Sequence, residues 1–351
     1  MTSSNPATSS PEDSEPTSPN GSNSSTTSEE TQVEPTFEDL SLSPIMRRAL
    51  EKLGWTKPSP IQARVIPHAI QGYDILGQAR TGTGKTASFA IPILEQLDPL
   101  KESPLPQALI LVPTRELAAQ VHGEFVKLAE GCPTQIVEVS GGKHMRRQLN
   151  ALAEGVQVVV GTPGRVIDHL QRGTLRLQGL WCVVLDEADR MLDIGFRPSI
   201  ERILRRCPSN RQTMLLSATL DERIRDLANR YLFEPVLIDC SDKDVAVDTI
   251  EQRYISISPD KKLGVLIELL ERENPPQTII FCRTKIGTAK LHRVLEKHFA
   301  NKPGSTTRVE TIHGDMSQPQ RDAVFKALRE NRDRKSTRLN SSHANISYAV
   351  F

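Results

Sequence analysis

Short apolar or β-branched runs recur at 74–79, 108–113, 135–140, 156–162, 181–186 and 212–217, with amphipathic stretches such as 115–130 and 196–206 between them. Strand-length runs alternating with helical segments of about ten to fifteen residues predict βαβ units on a parallel sheet. The pattern pauses near 240–250, at the polar run Cys240-Ser-Asp-Lys-Asp, and then resumes. Further strand-like runs at 252–257, 277–283 and 308–313 are separated by helical stretches at 261–273 and 285–299. The expectation is an α/β protein with two parallel-sheet units joined by a polar linker. The first has six or seven βα repeats and the second, incomplete, about three.

Composition adds a tail to this picture. The chain has 351 residues, enough for about two domains, yet only 37% are hydrophobic, low for a chain that is folded throughout. Residues 1–36 hold 22 Ser, Thr or Pro, six acidic residues, and no basic or aromatic one. Such a segment cannot bury enough apolar surface to offset its ordering entropy, so disorder is expected there. Subtracting its charge of −6 from the total of +1 leaves +7 on residues 37–351. A mildly basic body suits a polyanionic partner; on charge alone, a solvated surface with a solubilising tail fits equally well. No apolar run approaches the ~18 residues needed to cross a bilayer, and no basic segment followed by an apolar one marks a secretory signal. The five cysteines include no CxxC pair and the eight histidines no HxxxH or HExxH pattern. Reduced cytosolic thiols follow, without a zinc site. A cytoplasmic monomer with no membrane association is expected.

Two motifs carry chemistry. Ala79-Arg80-Thr81-Gly82-Thr83-Gly84-Lys85-Thr86 follows a strand and opens a helix, the setting of a phosphate-binding loop. Gly82 and Gly84 let backbone N–H groups close around phosphate oxygens, Lys85 reaches the β/γ-phosphates, and Thr86 offers a hydroxyl to Mg²⁺. The strict pattern has glycine where Ala79 stands. Val183-Val-Leu-Asp186-Glu187-Ala-Asp189 is an apolar strand ending in carboxylates. There Asp186 can hold Mg²⁺ largely through water, and Glu187 can orient and deprotonate an attacking water.

Leu185-Asp-Glu-Ala-Asp-Arg-Met-Leu-Asp-Ile-Gly-Phe196 resembles the signature of DEAD-box ATP-dependent RNA helicases, and further motifs follow in order over about residues 37–333. The resemblance implies two RecA-like domains with ATP bound between them and RNA across the cleft. Gly54-Trp-Thr-Lys-Pro-Ser-Pro-Ile-Gln62 is similar to the adenine-recognition motif, which implies that Gln62 reads the adenine edge and Phe37 packs near the base. Pro113-Thr114-Arg115-Glu-Leu-Ala118, Gly141-Gly142 and Thr162-Pro163-Gly164-Arg165 resemble the RNA-contacting motifs. Arg115 and Arg165 would then meet phosphates and the two threonines would add hydroxyl donors. Ser217-Ala-Thr219 resembles the element that couples hydrolysis, through Asp189, to strand separation; it also reads as a helix N-cap before Asp221. In the second unit, Arg283, Thr284, Gly314 and Arg321 fall in similar motifs and are candidates for RNA or interdomain contact. The implied activity is ATP-driven local unwinding of RNA or remodelling of ribonucleoproteins, ribosomal precursors among them. The alternative for this chain is an ATP- and RNA-binding scaffold with little turnover.

After Arg334 no period continues the sheet, and the family's later arginine-bearing motifs are not found. The expected organisation is a tail at 1–36, an ATP-binding domain at 37–240, a linker at 241–251, a partial second domain at 252–333, and a non-family segment at 334–351 that is expected to be a sequence artefact.

Overall fold

The computed structural model describes residues 35–97, 105–241, 253–275, 277–302, 307–329 and 336–339. The expected disordered tail, apart from residues 35–36, lies outside the described residues; so does the linker, apart from Ser241.

All six apolar runs of the N-terminal unit form parallel strands. They are β1 (Ile75–Gln78), β2 (Ala108–Leu111), β3 (Ile136–Val139), β4 (Val158–Gly161), β5 (Cys182–Leu185) and β6 (Gln212–Ser217). A seventh, β7 (Val236–Asp239), pairs with β1 at the edge of the sheet. The order is β3-β4-β2-β5-β6-β1-β7. Successive side chains point to opposite faces. Ala108 and Ile110 therefore join the core on one side with Phe89 and Phe125, while Leu109 and Leu111 join the other with Met191 and Ile200. Helices cover both faces, which is why these strands read as continuous apolar runs rather than alternating ones.

The helices are α1 (Pro44–Lys52), α2 (Pro60–Ile70), α3 (Lys85–Gln96), α4 (Arg115–Leu128), α5 (Met145–Glu154), α6 (Pro163–Gln171), α7 (Ala188–Asp193), α8 (Arg197–Leu204) and α9 (Glu222–Tyr231). Their starts follow capping chemistry. Ser43 accepts the Met46 N–H at 3.2 Å and Thr114 the Leu117 N–H at 3.2 Å. Asp221 caps α9 by accepting the Ile224 N–H at 3.0 Å.

The C-terminal unit holds α10 (Lys262–Glu273), β8 (Gln277–Ile279), α11 (Lys285–Ala300), β9 (Arg308–Thr311), α12 (Gln318–Arg329) and β10 (Ser336–Leu339). Its sheet order is β8-β10-β9, all parallel. Ile280, Cys282, Leu295, Phe299 and Val309 make its small core. Two expectations are corrected. The run at 252–257 forms no strand over its described residues 253–257, and Tyr254 is 93% exposed; a run with strand propensity needs a neighbour to pair with. Conversely, Ser336–Leu339, expected to carry no strand, fills the gap between β8 and β9. Backbone pairing there needs no hydrophobic period.

Candidate functional site

The order of the strands brings β1, β5 and β6 side by side, and their carboxyl ends carry the chemical groups. Open parallel sheets bind ligands at this edge. The loop after β1 starts at Ala79, whose N–H donates to the Ser217 carbonyl at 3.0 Å. Gly82 and Gly84 take left-handed φ values of 83° and 85°, which L-residues rarely tolerate. A Cβ on Gly84 would also lie 2.4 Å from Gln62 Nε2. Thr83 closes the turn by donating its hydroxyl to the Arg80 carbonyl at 2.8 Å.

Lys85 opens α3 and is 6% exposed, yet its ammonium nitrogen has no hydrogen-bond partner among the described residues. A buried, unpartnered cation is costly unless something anionic binds there. Lys85, Thr86, Gly82, Gly84, Asp186 and Glu187 line one cavity of about 760 Å³. Its remaining wall includes Leu53, Trp55 and Gln62, together with Leu117, Gln120, Glu124 and Lys127 of α4. The donor set suits a phosphate chain with a divalent cation: an orphaned ammonium, backbone N–H groups in a glycine loop, a hydroxyl and two carboxylates.

Asp186 follows β5 and is 3% exposed. Burial pushes its carboxyl up to about 6; Lys85 opposes the shift, while Glu187 reinforces it. The backbone of Glu187 is left-handed, with φ 51°, a conformation costly for a non-glycine residue. Its N–H donates to Asp186 Oδ1 at 2.9 Å, and Arg190 Nη1 meets its Oε2 at 2.9 Å. Asp189 Oδ2 accepts from the Ala218 N–H at 3.2 Å, the Thr219 N–H at 3.1 Å and the Thr219 hydroxyl at 3.2 Å. The acidic turn is thereby tied to the end of β6. Ser217 Oγ accepts the Thr219 N–H at 3.3 Å instead of reaching Asp189. Because Asp221 supplies the N-cap of α9, the alternative capping reading of Ser217–Thr219 falls away.

Gln62 is 6% exposed and lies beside the phosphate loop. Its Oε1 accepts the Ser59 N–H at 2.9 Å and its Nε2 donates to the Gly84 carbonyl at 3.0 Å. Phe37 is buried in the core with Leu40, Leu42 and Met46 and is not among the cavity's lining residues, whereas Trp55 is. Trp55 was legible only as part of the Gly54–Gln62 run. Leu117 is named in the sequence only within the Pro113–Ala118 run, and Gln120, Glu124 and Lys127 only within the amphipathic stretch 115–130; none is marked there as lining this cavity, though their spacing of three, four and three marks one face of a helix.

The remaining candidates cluster at the carboxyl ends of β2, β3 and β4. The Arg115 guanidinium packs on the Gly141-Gly142 turn: Cβ atoms there would lie 2.9 Å and 2.5 Å from its nitrogens. The Thr162 N–H donates to the Val139 carbonyl at 3.1 Å, Pro163 starts α6, and the Gly164 side is open. Arg165 Nε lies 3.7 Å from Asp168 Oδ2. In the C-terminal unit Arg283 is exposed, Thr284 caps α11 by accepting the Gly287 N–H at 3.0 Å, and Gly314 is exposed beside Lys285. Arg321 of α12 reaches the N-terminal unit, pairing with Glu116 at 2.8 Å. A second cavity of about 580 Å³ lies between the units, lined by Arg115, Gly141, Lys143, Glu187 and Arg190 on one side and Gln318, Asp322, Phe325 and Lys326 on the other.

Known proteins share this arrangement. The DEAD/DEAH box helicase model matches residues 59–227 and the helicase conserved C-terminal domain model residues 261–341, so the second match runs on through β10. The chain is 43% identical over 295 residues to DEAD-box ATP-dependent RNA helicase CshA of Geobacillus kaustophilus, covering 84% of this chain and 61% of that protein. Against the Bacillus subtilis CshA the identity is 40%, with 84% and 58% covered. The chain thus spans little more than half the length of these relatives. Among solved structures, Saccharomyces cerevisiae Dbp5 bound to RNA and ADP BeF3 superposes with a TM-score of 0.76 at 30% identity, covering 87% of this chain and 75% of that one. A DEAD box protein from Methanococcus jannaschii gives 0.57 at 36% identity, covering 88% and 81%. With the phosphate loop, the Asp186–Asp189 turn and both family matches in place, the chain belongs to the DEAD/DEAH box helicase family.

Proposed function

We propose that this chain is the core of an ATP-dependent RNA helicase that couples ATP binding and hydrolysis to local separation of RNA strands. The observation that carries the reading is the Lys85 ammonium, buried without a hydrogen-bond partner among the described residues in the same cavity as Asp186 and Glu187. A γ-phosphate is the ligand that this lysine, the glycine loop and the adjoining carboxylates suit together. Thr86 and Asp186 would hold Mg²⁺, which supplies neutralisation of phosphate charge when bound. Gln62 faces the same cavity and retains an N–H and a lone pair, the pair of groups an adenine edge needs. Glu187, steadied by Arg190, takes the proton of the attacking water.

RNA would lie along Arg115, Gly141-Gly142 and Thr162–Arg165, where backbone and guanidinium groups suit phosphate and 2′-OH rather than base edges. The Arg321–Glu116 pair at 2.8 Å supports an approach of α12 to that surface, from which the C-terminal unit would close over RNA. Ribonucleoprotein or ribosomal precursors fit as substrates, a monomer suffices for the chemistry, and the cytoplasm is the proposed location.

The test is phosphate release with and without single-stranded RNA. The wild-type chain is expected to show RNA-stimulated release. Glu187→Gln should retain nucleotide and RNA binding but lose turnover by about 10²-fold or more, and Lys85→Ala should lose nucleotide binding. Normal turnover by Glu187→Gln would disprove the assignment of the base; wild-type binding of both ligands without turnover would establish a scaffold instead.

A further inference from the structure

We propose that a hydrogen-bonded chain running inward from exposed Thr174 through buried His169 and Gln148 to Ser140 positions the Gly141-Gly142 turn and thereby sets the RNA affinity of the N-terminal unit; this rests on the RNA-binding reading above. His169 and Ser140 are fully buried and Gln148 is 4% exposed. None of the three can meet RNA directly.

The direction of the chain follows from its acceptors. Gln148 Nε2 donates to the Ser140 carbonyl at 2.9 Å, and a carbonyl can only accept. The other end of the amide, Oε1, then faces His169 Nε2 at 3.0 Å, so that ring nitrogen must carry the proton. Burial, reinforced by Arg165 and Arg172 against Asp168, lowers the readiness of the ring to take a second proton. His169 Nδ1 is therefore an acceptor, and the Thr174 hydroxyl, 2.9 Å from it and 3.2 Å from the His169 carbonyl, shares its one hydrogen between the two.

What the chain holds is the loop that bears the glycines. Ser140 is gripped twice, its carbonyl by Gln148 and its hydroxyl by Glu138, which also pairs with Lys143. The next two residues support the Arg115 guanidinium so closely that a methyl group on Gly142 would come within 2.5 Å of it. The N-terminus of α6 is already bound to the end of β3 through Thr162 N–H and Val139 O. His169, two turns further along α6, fastens the body of that helix to the same loop through Gln148. Arg115, Gly141-Gly142 and Thr162–Arg165 thus become one rigid surface, and pre-organised groups bind with less ordering cost.

Gln148→Met in the full chain tests this, because it removes both hydrogen bonds with little change of volume. The wild type is measured alongside it. Amide exchange at residues 141–143 should speed up, and affinity for single-stranded RNA in a non-hydrolysable ATP analogue should fall about fivefold to tenfold, the scale of one lost buried link. Affinity for a fluorescent ADP should stay within about twofold, since the nucleotide cavity shares none of these residues. Thr174→Val, which removes only the outermost hydroxyl, should fold if Gln148→Met does not and shift RNA affinity in the same direction. A wild-type chain that binds no RNA overturns both readings. RNA binding that the variants share at full strength, or a parallel loss of RNA and nucleotide affinity, overturns this proposal alone.

Discussion

In the N-terminal unit, both faces of the central strands disappear beneath helices, and Val159, Val183 and Leu111 have no exposed surface. In the C-terminal unit, Ile279 of β8 is 43% exposed, Phe281 37% and Ile286 of α11 83%. The difference shows where the chemistry can reside. A buried Asp186 raised to about 6 and a Lys85 without a hydrogen-bond partner among the described residues require a rigid setting that holds unfavourable groups in place. The seven-stranded unit supplies it. The three-stranded unit contributes polar groups from α12, which need only approach.

That contrast can be broken most forcefully through the cores. Leu295→Ala in α11 and Leu111→Ala in β2 should each cost about 2–5 kcal/mol, the usual range for emptying a buried leucine site. With hydrogen exchange as the measure, the first should loosen only the C-terminal unit while the phosphate loop stays protected; the second should loosen the whole N-terminal sheet. Uniform loss in both variants would mean that the two units melt as one. A smaller effect sharpens the contact between them. Glu116→Arg or Arg321→Glu should each weaken docking of α12, and the double reversal should recover about 1 kcal/mol of coupling, the scale for a partly exposed pair. Inter-unit fluorescence transfer in the presence of nucleotide and RNA would register it. The smallest effect concerns acid. The pKa of His169 is lowered from 6.5 in the folded chain by burial, Arg165 and Arg172. Unfolded chains therefore bind this proton first, so the contribution of His169 to stability should decline as pH falls below about 6.5, against the opposite contribution of Asp186, whose raised pKa favours the folded chain as pH falls through about 6. Denaturant titrations of His169→Gln should show a shallower acid slope than the wild type.

The N-terminal unit was largely legible because its strands are buried on both sides. Runs such as Ala108–Val112 stand out from their surroundings, and all six predicted strands formed within a residue or two of their expected ends. β7 was harder: only Ile238 of its four residues is buried, so it lacks the continuous apolar signature. In the C-terminal unit the pattern misled in both directions. Tyr254 and Ile255 have strand propensity but no partner strand among the described residues, while Ser336–Leu339 has a partner on each side despite a polar text. Pairing is a property of the neighbours, which one segment cannot announce. The site followed the same division. The loop and acidic residues, picked out by a spacing that suits phosphate and metal chemistry, share one cavity in the structure. Trp55, Glu124 and Arg190 were not picked out, because each enters through tertiary packing or a helix face. The relay through His169 was invisible for the same reason: its members are separated by five, 21 and eight residues.

The contact between Gln62 and the Gly84 carbonyl joins two tasks that are usually considered apart. The same carboxamide that faces the cavity also latches the Gly82–Gly84 turn. Under the function proposed above, swapping it for an aliphatic side chain would blunt discrimination among nucleotides and slacken the triphosphate grip together, so one hinge pin would tune both.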